Sequence, residues 1–195
     1  MHYSYQDLFS EKGDSIRGAE AVVTKTTFLG KPAVLKDRIK KTYREEHLDN
    51  LLRKRRTRAE ARLLNKAKKA GVPCPTVLCM DEFSITMSFL EGKRPGMSGK
   101  EAEKSGDYLA KLHNNGIVHG DYTPANLIKT RKGLSVIDFG LGFFSTDIED
   151  MAVDVFTMLK SINKKQEFLK GYKKSKRYSS ILKRVEDIRK RMRYS

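Results

Sequence analysis

Three polar motifs in a fixed order constrain this chain most: His119-Gly120-Asp121, then Asn126, then Asp138-Phe139-Gly140. Between Asn126 and Asp138, two short apolar runs flank a turn and predict a β-hairpin. Because the strands of a hairpin are adjacent and antiparallel, the residue before it and the residue after it return to one place. The spacing therefore predicts that Asn126, Asp138 and the carboxylate of Asp121 converge.

Convergent oxygen atoms of this kind suit phosphoryl transfer. A Mg²⁺–phosphate cluster needs oxygen ligands, here expected from Asn126 and Asp138, and Asp121 is expected to orient the attacking hydroxyl or water. The order and spacing resemble the catalytic loop, hairpin and metal-binding loop of protein kinases, which implies ATP and Mg²⁺ as cofactors. Each motif alone is weak, so the joint spacing carries the prediction. We expect His119 to shape the loop rather than to transfer a proton.

A lysine at the end of a β-like run is the expected phosphate ligand. Lys36 closes Ala33-Val34-Leu35-Lys36, which resembles the kinase strand whose lysine binds the α- and β-phosphates. Glu60 lies in the following predicted helix between small alanines and is its expected ion-pair partner, while Glu45 and Glu46 compete from positions near the helix start. The alternative is that Glu60 pairs only with surface arginines.

The segment expected to cover the phosphates departs from ordinary kinases. Ile16-Arg17-Gly18-Ala19-Glu20-Ala21 keeps one glycine where they have several. Fewer glycines limit how closely the backbone can approach a phosphate. The sequence therefore predicts either modest nucleotide affinity or a clasp completed by side chains, with Gly18 and Glu20 as candidate nucleotide-binding residues.

The first half of the chain predicts a small antiparallel sheet with one helix. Short β-like runs at residues 21–23, 26–29 and 33–36 suggest three antiparallel strands, and two more are expected at residues 76–80 and 83–89. Residues 47–69 lack glycine and proline, and their leucines and alanines recur at helical spacing. This half would form the smaller lobe of a bilobal domain.

The second half predicts a truncated, mostly helical lobe. Ser98 with Glu101 is a capping-box signature, and two or three helices are expected over residues 147–193. The fold class is therefore α+β, a bilobal protein-kinase-like fold. The expected division of this single domain, residues 1–195, is an N-lobe over about 1–90, a hinge at about 88–96, a C-lobe over about 97–188 and a basic tail at 189–195.

Positive charge is concentrated toward the C-terminus of a basic chain. The formal net charge is +16, and residues 160–195 hold 14 lysines and arginines against Glu167, Glu186 and Asp187. A surplus of this size makes a polyanion an expected partner, although a basic helix is also an ordinary solvated face. Residues 189–195 contain no acid and are expected to lie beyond the last core contact.

Cysteine usage and hydropathy indicate the cellular environment. Cys74 and Cys79 fit neither a metal-binding motif nor a disulfide scaffold, so both are expected to be reduced, buried thiols. Residues 1–14 lack the apolar stretch of a signal peptide, and no apolar run approaches membrane-spanning length. A cytoplasmic protein with no membrane partner is therefore expected.

Longer sequence motifs indicate which kinase-like family the chain resembles. Those around Asp121 and Asp138, together with Glu149-Asp150-Met151-Ala152-Val153-Asp154 and the basic C-terminus, resemble the small kinase/ATPase subunit of the KEOPS complex nearly end to end. The resemblance implies ATP hydrolysis and Ser/Thr kinase activity in support of threonylcarbamoyladenosine formation in tRNA. It also implies binding to a sugar-kinase-fold catalytic subunit, to which the family is sometimes fused, to a further small subunit, and to tRNA through the basic helix and tail.

Two features depart from ordinary protein kinases. Gly120 replaces the arginine that binds an activation-loop phosphate, so no such switch can act through that side chain. The interval from Asp138 to Asp154 is too short for a regulatory loop followed by a peptide-docking segment. Asp154 resembles the aspartate that hydrogen-bonds the catalytic-loop backbone and is expected to be structural.

Other functions compete with the KEOPS interpretation. Gly120 also resembles the glycine of rio-type kinases and aminoglycoside phosphotransferases, although the short C-terminus argues against the latter. A free-standing rio-type Ser/Thr kinase is one alternative, and the missing peptide-docking segment disfavours it. A non-catalytic scaffold that binds RNA and partners is another. The intact set of Lys36, Asp121, Asn126 and Asp138 disfavours the scaffold, which would need none of them.

Overall fold

A five-stranded antiparallel sheet forms the smaller lobe of the computed structural model, which describes residues 15–192. Its elements are β1 Ser15–Arg17, β2 Ala21–Phe28, β3 Lys31–Arg38, α1 Glu46–Lys69, β4 Val77–Met80 and β5 Ser84–Ser88. The strand order is β1-β2-β3-β5-β4, so β3 lies at the centre. The central position of β3 brings its inward-facing residues close to the helix.

The strands predicted before residue 36 are present with different bounds. The runs expected at residues 21–23 and 26–29 form one continuous strand, β2, the run at residues 33–36 lies within β3, and β1 was not among the predicted runs. Lys25, which appeared to separate the runs, is exposed while its backbone stays paired with Val34. A polar side chain on the solvent face of a strand interrupts the apolar pattern without interrupting the ladder. The two strands predicted later in this lobe are confirmed as β4 and β5.

Helix α1 confirms the prediction of a long basic helix over residues 47–69. It buries residues at spacings of three and four, so one stripe faces the sheet; these residues are Thr57, Glu60, Leu63, Leu64 and Ala67. Glu45 caps the helix by accepting hydrogen bonds from the backbone N–H groups of His47 and Leu48, both at 2.8 Å. Glu46 pairs with Lys40. Both competitors for Lys36 are thus engaged at the helix start.

The larger lobe combines four helices with short strands. Its elements are β6 Gly92–Lys93, α2 Gly99–Asn114, β7 Ile117–Val118, β8 Leu127–Thr130, β9 Gly133–Val136, β10 Phe143–Phe144, α3 Ile148–Ser161, α4 Lys165–Tyr172 and α5 Tyr178–Arg191. The predicted hairpin is β8–β9, and the predicted capping box at Ser98 and Glu101 begins α2. Helices α3, α4 and α5 confirm the expected number after residue 147.

One expectation about surface residues is wrong. Cys74 is buried, but Cys79 is exposed, because it lies near the end of β4 at the edge of the sheet. Residues 189–192 lie beyond Ile188, the last buried residue, as expected, although α5 continues through Arg191, whose Nη2 lies 2.9 Å from Glu149 at the surface. Residues 1–14, where a signal peptide was not expected, and residues 193–195 lie outside the described part of the chain.

Hydropathy along the helices gives one further result. Over residues 15–192, none of the helices combines the length and apolar character needed to cross a bilayer.

The turn between β2 and β3 provides a test of the sheet. Leu29 and Gly30 both have positive φ, 50° and 73°, in a two-residue hairpin turn that favours Asn-Gly, and Leu29 is 89% exposed. Leu29→Asn should therefore raise the free energy of unfolding by about 1 kcal/mol and the thermal midpoint by roughly 2–4 °C. Calorimetry of this variant beside Leu29→Ala measures the effect. An increase as large in the alanine variant would contradict a turn-specific cause.

Candidate active site

One ammonium group held by two carboxylates joins the two lobes. Lys36 in β3 is 6% exposed, and its Nζ lies 2.7 Å from Oε1 of Glu60 in α1 and 2.8 Å from Oδ1 of Asp138. The predicted Lys36–Glu60 ion pair is confirmed. A buried charge is tolerated when it is paired and hydrogen-bonded, so these contacts fix a strand, a helix and the loop after β9 relative to one another.

Glu60 accepts a second cation that the sequence reasoning missed. Nη2 of Arg38 lies 2.6 Å from Oε2 of Glu60, and all three side chains of this cluster are buried. The alternative that Glu60 pairs only with surface arginines is therefore wrong. Arg38 follows Lys36 by two residues and shares its face of the strand. That period-two spacing of basic residues is the signal that could have identified it.

Asp138 has a left-handed backbone conformation, with φ of 59°. Its Oδ1 accepts hydrogen bonds from Lys36 and from the backbone N–H of Gly140, the latter at 3.1 Å. Burial acts to raise the pKa of Asp138, but the charge and hydrogen bond of Lys36 and the Gly140 N–H outweigh it and lower the pKa to about 2. The carboxylate is therefore ionised at neutral pH, with 42% of the side chain exposed.

The amide of Asn126 orients Asp121. Asn126 ends a 3-10 turn, Pro124–Asn126, and its Nδ2 donates to the backbone oxygen of Asp121 at 2.8 Å and to Oδ2 at 2.9 Å. Between residues 15 and 192, no donor contacts Oδ1 of Asn126 or Oδ2 of Asp138. Two oxygen atoms without protein donors fit a hard cation such as Mg²⁺. The metal-ligand role of both residues stays a prediction.

Asp154 in α3 holds the loop that carries Asp121 through hydrogen bonds to the loop backbone. The Asp154 carboxylate accepts hydrogen bonds from the backbone N–H groups of His119, at 2.6 Å, and Gly120, at 2.8 Å. Nε2 of His119 lies 3.0 Å from the Ile137 carbonyl, and Nδ1 accepts a hydrogen bond from the N–H of Asp121. These contacts assign the proton of His119 to Nε2. The structural roles predicted for Asp154 and His119 are confirmed.

A buried network behind this loop escaped the sequence reasoning. Nε2 of His113 in α2 lies 3.2 Å from Oδ2 of Asp154, and its Nδ1 lies 2.7 Å from the hydroxyl of Tyr172 in α4. The three side chains connect α4 to the loop through α2 and α3. Their positions are separated by 41 and 59 residues. Spacings this long carry no periodic signal in a sequence.

Gly120 has a backbone conformation that excludes the arginine of ordinary kinases. Its φ is 80°, and a Cβ at this position would lie 2.4 Å from the carbonyl oxygen of Leu141. A side chain here would both strain the backbone and overlap Leu141. The backbone conformation at this position therefore requires glycine and excludes the phosphate-binding arginine.

The segment between Gly140 and α3 is short and is anchored by Arg177, the residue before α5, while α5 itself contacts the first turn of α3. Strand β10 pairs with β7 at its start. Beyond it, Arg177 donates to the carbonyl oxygen of Thr146, and Arg184 pairs with Glu149. These contacts hold the segment without a phosphate group.

A narrow apolar cleft is lined by Val34, two residues before Lys36, and by Ile137, directly before Asp138. Aliphatic side chains from both lobes and the connecting residues 88–90 line it; they include Val34, Met87, Ile128 and Ile137. Aliphatic surfaces on two sides fit a flat heteroaromatic ring, with the phosphates directed toward Lys36. The residues present therefore fit an adenine nucleotide.

The predicted phosphate-covering segment is a tight turn between β1 and β2. The N–H of Gly18 donates to the Ala21 carbonyl at 2.9 Å, and the carboxylate of Glu20 forms an ion pair with Arg56 in α1. The structure thus brings Lys36 together with Glu60 and Asp138, whereas Glu20 is engaged by the helix. Nucleotide binding by Gly18 and Glu20 stays a prediction.

Comparison with known families and sequences identifies relatives. The RIO domain matches residues 23–158. A probable serine/threonine-protein kinase BUD32 homolog of Archaeoglobus fulgidus is 39% identical over 171 residues, covering 83% of this chain and 88% of that protein. A probable bifunctional tRNA threonylcarbamoyladenosine biosynthesis protein of Methanosarcina mazei is 40% identical over 190 residues, covering 91% of this chain and 35% of that protein. The chain therefore spans about a third of the length of its bifunctional relatives.

Solved structures with the same fold are more distant in sequence. The Rio2 kinase–ADP/Mg²⁺–phosphoaspartate complex from Chaetomium thermophilum matches with a TM-score of 0.64 and 15% identity, covering 98% of this chain and 76% of that one. An ADP-bound aminoglycoside phosphotransferase matches with a TM-score of 0.59 and 14% identity, covering 93% and 85%. The predicted bilobal protein-kinase-like fold is confirmed, and the chain belongs to the RIO domain family of atypical kinases.

Proposed function

We propose that this chain binds Mg-ATP and transfers or hydrolytically releases the γ-phosphate as the kinase/ATPase subunit of a KEOPS assembly that makes threonylcarbamoyladenosine in tRNA. One observation carries the proposal. Lys36 contacts both Glu60 and Asp138, and the apolar cleft is lined by Val34 and Ile137, their near neighbours in the chain. A buried lysine between two carboxylates, beside Asp121 and Asn126, suits phosphoryl chemistry and has no use in a passive scaffold.

Each polar group has a role in this reaction. Lys36 binds the α- and β-phosphates, and Glu60 holds that lysine in place. Asn126 and Asp138 would hold Mg²⁺, which would neutralise charge on the transferred phosphoryl group. Asp121 orients the attacking hydroxyl or water through Oδ1, which accepts no hydrogen bond within residues 15–192.

The acceptor is water or a nearby hydroxyl rather than a docked peptide. The segment between Gly140 and α3 contains only β10 and the residues anchored by Arg177, so it offers little surface for peptide binding. Slow self-modification should accompany ATP hydrolysis. Ser145, Thr146 and Ser179 are unranked candidates, and the Ser145 hydroxyl already donates to Asp150 at 2.6 Å.

The partners follow from the relatives and from charge. Relatives named as bifunctional threonylcarbamoyladenosine biosynthesis proteins extend well beyond the part that this chain matches, which supports a sugar-kinase-fold catalytic subunit as partner. A further small KEOPS subunit completes the proposed assembly. The formal net charge of +16 supports tRNA binding, through the basic C-terminal helix α5 and residues 189–195.

A free-standing Ser/Thr protein kinase is the second candidate function. The BUD32 homolog favours it, because this chain covers 88% of a protein whose name assigns that activity alone. Measuring free phosphate and protein-bound phosphate from Mg-ATP, with and without tRNA and the catalytic partner, tests the proposal. Stimulation of phosphate release by tRNA or partner favours the KEOPS role, whereas efficient phosphorylation of added peptides favours the kinase.

Removal of the Asp138 charge tests the metal site. Asp138→Asn keeps the shape of the side chain but removes the charge that balances a bound cation, so phosphate release should fall by roughly a thousandfold. Asp187→Asn, a partly exposed acid in α5, serves as the matched control and should leave the rate unchanged. Near-normal phosphate release by Asp138→Asn would remove this residue from the metal site.

Removal of the Lys36 ammonium tests phosphate placement. Lys36→Ala should weaken binding of a non-hydrolysable ATP analogue and lower turnover by roughly a hundredfold, because the phosphates lose their buried counter-charge. Lys31→Ala removes an exposed lysine from the same strand and should change neither. A thermal midpoint measured for both variants separates lost binding from lost folding. Equal turnover in Lys36→Ala and the unaltered chain would assign the phosphate contact to a different lysine.

Neutralising the C-terminal cations tests tRNA binding. Substitution of Arg189, Lys190 and Arg193 by Gln avoids Arg191, which contacts Glu149, so ATP binding should persist. The affinity for tRNA should fall, and the log–log salt dependence should flatten by about 0.7 to 0.9 for each lost phosphate contact. The control replaces Lys31, Arg131 and Lys132 by Gln, which removes the same number of positive charges from residues outside the tail. Identical salt slopes in all proteins would exclude direct RNA contact by the tail and leave docking on the partner subunit.

A further inference from the structure

A groove of about 620 Å³ lies between α1 and β4. Its floor is apolar and includes Ala61, Val77 and Met80, and its rim carries Arg58, Arg62 and Lys68. Most α1 residues that line the groove lie outside the buried stripe that carries Glu60, and Leu64 belongs to both. This α1–β4 groove is therefore separate from the nucleotide cleft.

The positive charge of α1 is distributed unevenly between internal contacts and the groove. In the first half of the helix, cations pair with acids of this chain, including Arg53 with Asp49, Lys54 with Glu82 and Arg56 with Glu20. In contrast, Arg58 and Arg62 are exposed and have no acidic partner within residues 15–192. The α1–β4 groove thus presents guanidinium groups that the chain itself does not neutralise.

We infer that the α1–β4 groove docks an acidic protein segment that inserts one apolar side chain. The apolar floor accepts that side chain, and Met80, 45% exposed, has the flexibility to adapt to its shape. The cations at the rim complement carboxylates. The residues that line the groove include no aromatic ring on which a nucleobase could stack, which favours a protein over RNA.

Two structural elements connect the α1–β4 groove to the nucleotide site, so a segment docked in the groove should affect nucleotide binding. Pro75 contributes to the groove and to the apolar nucleotide cleft, so it forms a wall shared by the two. The groove residues Arg58 and Ala61 flank Glu60, whose carboxylate holds Lys36. A docked segment would hold both elements in place. By linkage, the segment and the nucleotide raise each other's affinity.

Labelled peptides test the inference on the full-length chain. The probes are short Glu-rich peptides with one central Phe, Leu or Met, and the control peptide carries Gly there. Fluorescence anisotropy should show binding of at least one apolar probe and weaker binding of the Gly control. Arg58→Glu with Arg62→Glu should weaken probe binding about tenfold. Arg55→Glu with Lys69→Glu alters exposed residues of the same helix outside the groove by the same charge and should have a much smaller effect.

The nucleotide provides a second readout that does not depend on turnover. A saturating apolar probe should tighten binding of a non-hydrolysable ATP analogue about fivefold, and the groove variant should abolish this effect. Absence of probe binding, equal binding of the Gly control, or equal losses in the two charge-reversal variants would each overturn the inference. Loss of oligo(U) binding in the groove variant, with probe binding intact, would assign the groove to RNA instead.

Discussion

The buried ammonium of Lys36 imposes the central constraint on this molecule. Water cannot solvate it, so its charge must be balanced by groups of the chain, and Glu60 and Asp138 provide them from a helix and from a loop in the other lobe. Arg38 supplies a second positive charge to Glu60 and limits the orientations open to that carboxylate. The docking of α1, the path of the chain after β9 and the position of the cleft all follow from this cluster.

Local spacing determined which parts of the site could be predicted. The hairpin between Asn126 and Asp138 is a local element, and the run ending at Lys36 resembles a known strand, so these residues were identifiable in the sequence. Arg38 was recognisable only by its shared face with Lys36. The His113–Tyr172 contact joins residues 59 positions apart, with no repeat between them. Packing of α2 against α4 determines such pairs, and no sequence pattern encodes that packing.

Surface features were the least predictable part of the fold. Cys79 is exposed because the order of strands places β4 at an edge of the sheet, and that order could not be read from the sequence. Helix α5 continues past Ile188, its last buried residue, and Arg191 in its final turn pairs with Glu149 of α3. The single strand β2 was divided in the prediction because a solvent-facing Lys25 resembles a break. In each case a tertiary neighbour decided an outcome that propensity left open.

The contact between Lys36 and Asp138 spans 102 positions of the chain. Contacts of such separation form late in folding, because closing a long loop costs entropy before any interaction compensates for it. A chain still emerging from the ribosome can complete the sheet and α1, since both lie before residue 89. It lacks the carboxylate that completes the lysine cluster until the hairpin and Asp138 have been synthesised. The residues of the candidate site can therefore come together only after Asp138 has been synthesised.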